Sequence, residues 1–87
     1  MLYVEAQHFN HLSGASLQAG SYEGCQFESC DFSGANWSNF RFVDSSFVHC
    51  NLSNVQLPDA RFQAVVFKQS KLLGLHFEHC YAFGFEI

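Results

Sequence analysis

The residues of this 87-residue chain with the means to do chemistry are four cysteines, five histidines, eight carboxylates and a scatter of serines. Cys25, Cys30, Cys50 and Cys80 bring metal binding or disulfide formation to mind, but their spacing contains no paired Cys-x-x-Cys of the zinc type. His8, His11, His49, His76 and His79 are candidate ligands or general bases. The serines include no Gly-x-Ser-x-Gly elbow, and none has an evident base and acid beside it. The carboxylates Glu5, Glu23, Glu28, Asp31, Asp44, Asp59, Glu78 and Glu86 run through the whole chain with no acid–base pair among them. These residue types at these spacings make no catalytic, cofactor-binding or metal constellation, and the chain reads as non-enzymatic.

What positions these residues is an internal period. Every fifth residue is large and apolar: Leu12, Leu17, Tyr22, Phe27, Phe32, Trp37, Phe42, Phe47, Leu52, Leu57, Phe62, Phe67, Leu72 and Phe77, with only the next member, Ala82, failing. Composition alone predicts about four such matches in fifteen, so the repeat governs the architecture. Two residues before each large one stands a mostly small or modest apolar residue, such as Cys25, Cys30, Ala35, Ser45, Cys50, Val55 and Ala60. Two residues after it stands a turn former in most units: Gly14, Gly24, Ser29, Gly34, Asn39, Asp44, Asn54, Asp59 and Gly74. A period of five matches neither the 3.6 of a helix nor the 2 of a long strand. In extended backbone, residues two apart point the same way, and the turn former then bends the chain. Bends repeated with one hand wind the chain into a coil that keeps its large residues inside.

The units Cys30-Asp31-Phe32-Ser33-Gly34, Ala35-Asn36-Trp37-Ser38-Asn39, Cys50-Asn51-Leu52-Ser53-Asn54 and Ala60-Arg61-Phe62-Gln63-Ala64 resemble the pentapeptide-repeat family, whose motif is a small residue, Asp or Asn, Leu or Phe, then two variable positions. The resemblance runs from Asn10 to about His79. It implies an all-β fold: a right-handed quadrilateral β-helix with four pentapeptides per twenty-residue coil, here three to four coils. The expected organisation is an N-terminal capping strand over 1–9, the repeat β-helix over 10–84 and the end of the last strand over 85–87.

Stacking by twenty predicts four inner columns: Leu12, Phe32, Leu52, Leu72; Leu17, Trp37, Leu57, Phe77; Tyr22, Phe42, Phe62; and Phe27, Phe47, Phe67. Phe40 is a bulky residue at a small position, and its column neighbours Gly20 and Ala60 are expected to make room for the ring. All four cysteines fall in the small inward frame. Stacked neighbours such as Cys30 and Cys50 point the same way, which is poor bridge geometry, so the thiols are expected to be buried, free and hydrophobe-like. His11 and His76 fall in the frame before the large residue, and His49 and His79 in the turn frame. All four are expected to face solvent, with none positioned to share a metal.

At 87 residues, with 48% apolar and 17% aromatic content, the chain is rich enough for one filled core and too short for two. Met1-Leu2-Tyr3-Val4-Glu5 lacks the features of a signal peptide, and no apolar run approaches the length of a membrane span. Free thiols suit a reducing compartment, and the expected location is the cytoplasm. The expected function is a protein-interaction or structural module with no cofactor, small-molecule substrate, direct nucleic-acid contact or membrane contact. A further similarity lies in Phe27-Glu28-Ser29-Cys30-Asp31-Phe32-Ser33-Gly34-Ala35-Asn36, with Leu72-Leu73-Gly74-Leu75 and His79-Cys80. These look like the first coils of quinolone-resistance pentapeptide proteins, which implies the alternative of a DNA-mimicking binder of DNA gyrase or topoisomerase IV. Physically, such mimicry needs carboxylates along a rod in place of phosphates. The net charge is only −4, and the columns put Arg41 beside Arg61. The alternating Tyr81, Phe83, Phe85 and Ile87 read as a strand with one apolar face. Three outcomes stay open for it: covering its own last coil, packing on a second copy as family dimers do through their C-terminal ends, or continuing into a longer protein. The homodimer is the expected one.

Overall fold

The computed structural model describes residues 2–13 and 17–75, together with the backbone of 81–83. Among the described residues the regular elements are nine short strands: β1 (Leu2–Glu5), β2 (His8–Asn10), β3 (Gly20–Glu23), β4 (Gln26–Glu28), β5 (Arg41–Val43), β6 (Ser46–Val48), β7 (Arg61–Gln63), β8 (Val66–Lys68) and β9 (Tyr81–Phe83). They form two parallel sheets, sheet A in the order β1-β3-β5-β7-β9 and sheet B in the order β2-β4-β6-β8. From β3 onward the register advances by one twenty-residue coil per strand: Tyr22 faces Phe42, Phe42 faces Phe62, and Phe27, Phe47 and Phe67 follow suit. Phe32, Leu52 and Leu72 occupy a third side, where the bridges Asp31–Asn51 and Asn51–Lys71 fix the register. The bridge Asn36–Gln56 fixes the fourth, beside Trp37 and Leu57. The protein is a four-sided β-helix built of parallel strands.

The core is an aromatic stack. Phe9, Phe27, Phe47 and Phe67 lie ring over ring at centroid distances of 5.0, 4.7 and 5.3 Å, with interplanar angles of 9–11°. Tyr22, Phe42 and Phe62 form a second pile at 5.4 Å steps. These spacings are those of adjacent strands, about 4.8 Å, relaxed slightly by offset stacking. Trp37 meets Phe32, Phe42 and Phe47 at 5.2, 4.9 and 5.6 Å, which closes the lumen across the axis. The Tyr22 hydroxyl, the one polar tip in the two piles, donates to the Gln18 carbonyl.

The two pairs of sides turn their corners differently. On the Phe32 and Trp37 sides, a backbone bond closes each corner from the residue three positions on, as in Ala35 N to Phe32 O (3.0 Å) and Phe40 N to Trp37 O (3.1 Å). With positive φ at the third residue (Gly34, Asn39), this is the type II turn pattern. Asp31 Oδ1 and Asn36 Oδ1 each accept from the backbone N–H two residues on, at 3.0 Å, an Asx cap that explains the Asp/Asn of the motif on these sides. After the strands the corner is open. There the small inward residue supplies a side-chain partner: Ser45 Oγ accepts from Cys25 N (3.2 Å) and Ser70 Oγ from Cys50 N (3.1 Å). Cys25, Cys30, Ser45, Cys50 and Ser70 stand at these positions after the strands, with Val65 departing from them, while Ala, Val, Leu or Phe follow the turns.

Every corner from Gly24 to Gly74, at five-residue steps, has positive φ, including His49, Ala64 and Gln69, which carry no turn-forming chemistry. A left-handed conformation costs a non-glycine residue roughly 1–2 kcal/mol, and Ala64 (φ 54°) bears that cost without a local hydrogen bond from its side chain. Ala64→Gly is therefore expected to raise stability by about 0.5–1 kcal/mol after the extra entropy of unfolded glycine. Equilibrium urea denaturation checks this, and an unchanged or lower midpoint would contradict it.

The first coil departs from the five-step frame. Leu2 faces Gly20 and Phe9 faces Phe27, an offset of eighteen residues rather than twenty. The offset persists to Ser13, which bridges Asp31. Leu12 thus stands over Cys30 and not over Phe32: its carbonyl accepts from Asp31 N, as the Cys30 carbonyl accepts from Asn51 N. The expected column from Leu12 to Leu72 therefore begins at Phe32. Val4 and Phe9, outside the five-step series, are the inward residues above Tyr22 and Phe27. The same offset moves His11 (φ 56°) to a corner level with Ser29 rather than to the position before a large residue.

Candidate interaction surface

With the lumen solid, any chemistry must act from the outside. Tyr22, Phe27, Phe32, Trp37, Phe42, Phe47, Leu52, Leu57, Phe62 and Phe67 are all at most 3% exposed, while Leu12, Leu17 and Leu72 are partly buried against them. Phe77, Phe85 and Ile87 lie outside the described residues, and Tyr81 and Phe83 are described only as backbone in β9. Phe40 is buried and stacks on Trp37, Phe42 and Tyr22 at 5.7, 5.9 and 6.1 Å. The space at Gly20, however, is taken by β1. A Cβ there would lie 2.5 Å from the Leu2 carbonyl oxygen and 2.8 Å from Leu2 Cβ. Glycine at this position is required for the close approach of the first strand.

Cys25, Cys30 and Cys50 are buried and free. Their thiols point at carbonyls; Cys50 Sγ lies 3.3 Å from Phe27 O and 3.4 Å from Val48 O. Burial pushes the Cys50 thiol up to about 11, against a smaller lowering by the Cys30 N–H. Burial of this kind disfavours the thiolate, the form that reacts as a nucleophile. Among the described residues no three His, Cys, Asp or Glu side chains gather where an ion could be held, and no helix is long and apolar enough to cross a membrane. His8, His11 and His49 are exposed; His76 and His79 lie outside the described residues.

The outward residues form columns as regular as the inner ones. On sheet A, Tyr3, Ser21, Arg41 and Arg61 align, beside Glu5, Glu23, Val43 and Gln63. Glu23 joins the two columns: it accepts from the Tyr3 hydroxyl at 2.8 Å and lies 3.7 Å from Arg41 Nη1, which also donates to Ser21 Oγ at 3.1 Å. The Glu23 bond is the main cause that raises the Tyr3 phenol above its ordinary range. On sheet B the columns are His8, Gln26, Ser46, Val66 and Asn10, Glu28, Val48, Lys68. Around the next corner stand Ser13, Asp31, Asn51 and Lys71. Asp31 is held below the usual carboxylate range by the Ser33 hydroxyl and N–H, with a smaller contribution from Lys71.

A parallel β-helix with a filled lumen, Asx-capped turns and a left-handed residue at every fifth position defines a class of repeat solenoid without an internal cavity for a substrate. The sequence model of the pentapeptide repeat region matches residues 20–82, and the chain belongs to that family. The match opens at Gly20, where the twenty-residue register also begins. A search of curated proteins returned no match.

Proposed function

We propose that this pentapeptide-repeat solenoid is a non-catalytic protein-interaction or structural module that acts through its outer faces. The observation that carries this reading is the filled lumen: the large side chains are spent on the axis, and short polar and charged residues are left on flat, rigid sides. Such sides present fixed backbone and side-chain positions at a 4.8 Å pitch, which lowers the ordering cost a partner must offset. A second copy packed on Tyr81, Phe83, Phe85 and Ile87 belongs to this reading, since β9 is the last strand of sheet A.

The alternative, a gyrase- or topoisomerase IV-binding DNA mimic, is favoured by one observation. Glu5, Glu23, Glu28 and Asp31 all precede the first cation in the chain. Against it, Arg41 and Arg61 stack in register on sheet A, and Lys68 and Lys71 follow on later sides, interrupting a continuous negative rod. A supercoiling assay with purified gyrase separates the two readings. The module reading expects no inhibition and no protection from quinolone at micromolar protein; concentration-dependent inhibition that salt weakens would overturn it in favour of mimicry.

A further inference from the structure

The outer face of sheet B has a charge order that neither its family nor its repeat requires. Down one column run Glu28, Val48 and Lys68, one residue per coil, on β4, β6 and β8. Acid, apolar and base thus follow one another, with the two charges about 9.6 Å apart at two strand spacings. Across the adjoining corner the order repeats as Asp31, Asn51 and Lys71. The neighbouring column on the same face, His8, Gln26, Ser46 and Val66, holds no carboxylate, Lys or Arg. Glu28, Asp31, Lys68 and Lys71 are all exposed, and Val48 between them is half-buried. On the other sheet Arg41 Nη1 and Glu23 Oε2 lie 3.7 Å apart, within ion-pair distance. Sheet A lacks this order, because its acid and its base already engage each other.

A sequence of acid, neutral and base along a line is its own complement when reversed. A two-fold axis lying in the contact plane along β6 sets Val48 against Val48 and brings each Glu28 opposite the other chain's Lys68. The Asp31 and Lys71 sets flank that contact with the same polarity. A closed isologous pair follows, since one patch serves both partners. We propose that the outer face of sheet B, centred on Val48, is a lateral self-association surface whose occupant is a second copy of this chain running antiparallel. This goes beyond the module reading and uses a different surface from the C-terminal end.

Three short strands offer less than the roughly 1,600 Å² of a standard interface, so the contact is weak and is read at protein on the order of hundreds of micromolar and about 0.01 M salt. Sedimentation equilibrium is run on the wild type, on Glu28→Lys, on Lys68→Glu, on their 1:1 mixture and on the double variant E28K/K68E. Both sites point outward, and far-UV circular dichroism with thermal melting confirms that each protein is folded. The expected result is a wild-type dimer that salt dissociates. Each single variant sets like charges opposite twice and should bind itself at least about tenfold more weakly. The mixture and the double variant restore opposite charges and should recover the dimer. A wild type that stays monomeric at low salt overturns the proposal. So does a dimer that survives both single variants unchanged, which would assign association to another surface such as the C-terminal end. The gyrase assay is independent of all five samples.

Discussion

Phe47→Ala is expected to cost about 3–5 kcal/mol, the range for removing a buried aromatic ring, and so to remove a large share of the protein's stability at 25 °C. The ring is fully buried in the middle of the longest pile, 4.7 Å from Phe27 and 5.3 Å from Phe67, with Trp37 and Phe42 also against it. A solenoid coil is stabilised mainly by its two neighbours, so a void in a central coil weakens both interfaces at once. A domain of this size has little reserve, with typical stabilities of about 5–15 kcal/mol. Leu12→Ala is the matched control. Both residues belong to the same five-step series, yet Leu12 lies over Cys30 and is only partly buried. Its loss should cost less than half as much. Urea midpoints for the two variants decide the matter, and equal costs would show that Leu12 shares the axis after all.

Gly20→Ala is expected to cost about 1–3 kcal/mol, as overpacking does, and to spend that cost locally. The added methyl meets Leu2 backbone, which cannot rotate away. The remedy open to the chain is to lift β1 from β3, and β2 is carried with it because it follows after two residues. Amide exchange should therefore speed up for residues of β1 and β2 while β5 to β8 keep their protection. Uniformly faster exchange would mean that the first coil and the rest unfold as one unit. Unchanged exchange would mean that the Leu2 approach is looser than the structure has it.

Much of this architecture was legible because the repeat leaves few alternatives. A large apolar residue at every fifth place can be buried continuously only if each pentapeptide makes one side of a coil, and Phe27, Phe47 and Phe67 stack accordingly. The corners were legible where Gly, Asn, Asp or Ser stands, for these residues tolerate left-handed backbone. They were not legible at His49, Ala64 and Gln69, where neighbouring coils impose a conformation that the residue itself disfavours. The Cys/Ser against Ala/Val distinction at the small position was a readable signal that a simple small-residue frame overlooks. A hydroxyl or thiol stands at 25, 30, 45, 50 and 70, where the corner has no backbone bond of its own, and Val65 shows that it is not obligatory.

The first coil shows where periodicity misleads. Leu12 keeps the count of five, but the eighteen-residue register sets it over Cys30 and places Val4 and Phe9 above Tyr22 and Phe27. Side-chain pattern cannot reveal that shift, because the offset is chosen by which carbonyls the N–H groups of β3 and β4 can reach. The same holds for Gly20, whose small size has its cause eighteen residues earlier in Leu2.

The amino-acid order alone determined that the chain winds into a coil with the five-step residues inside, since a period of five fits neither helix nor long strand; the coil length of twenty was implied by the family resemblance. Tertiary structure decided the rest: which sides are sheet and which are turn, where the frame shortens, and which outer residues share a column. Those outer relations depend on register between chain segments twenty residues apart, a property of paired backbones rather than of any local stretch. The charge order Glu28, Val48, Lys68 exists only once three coils have been laid on one another.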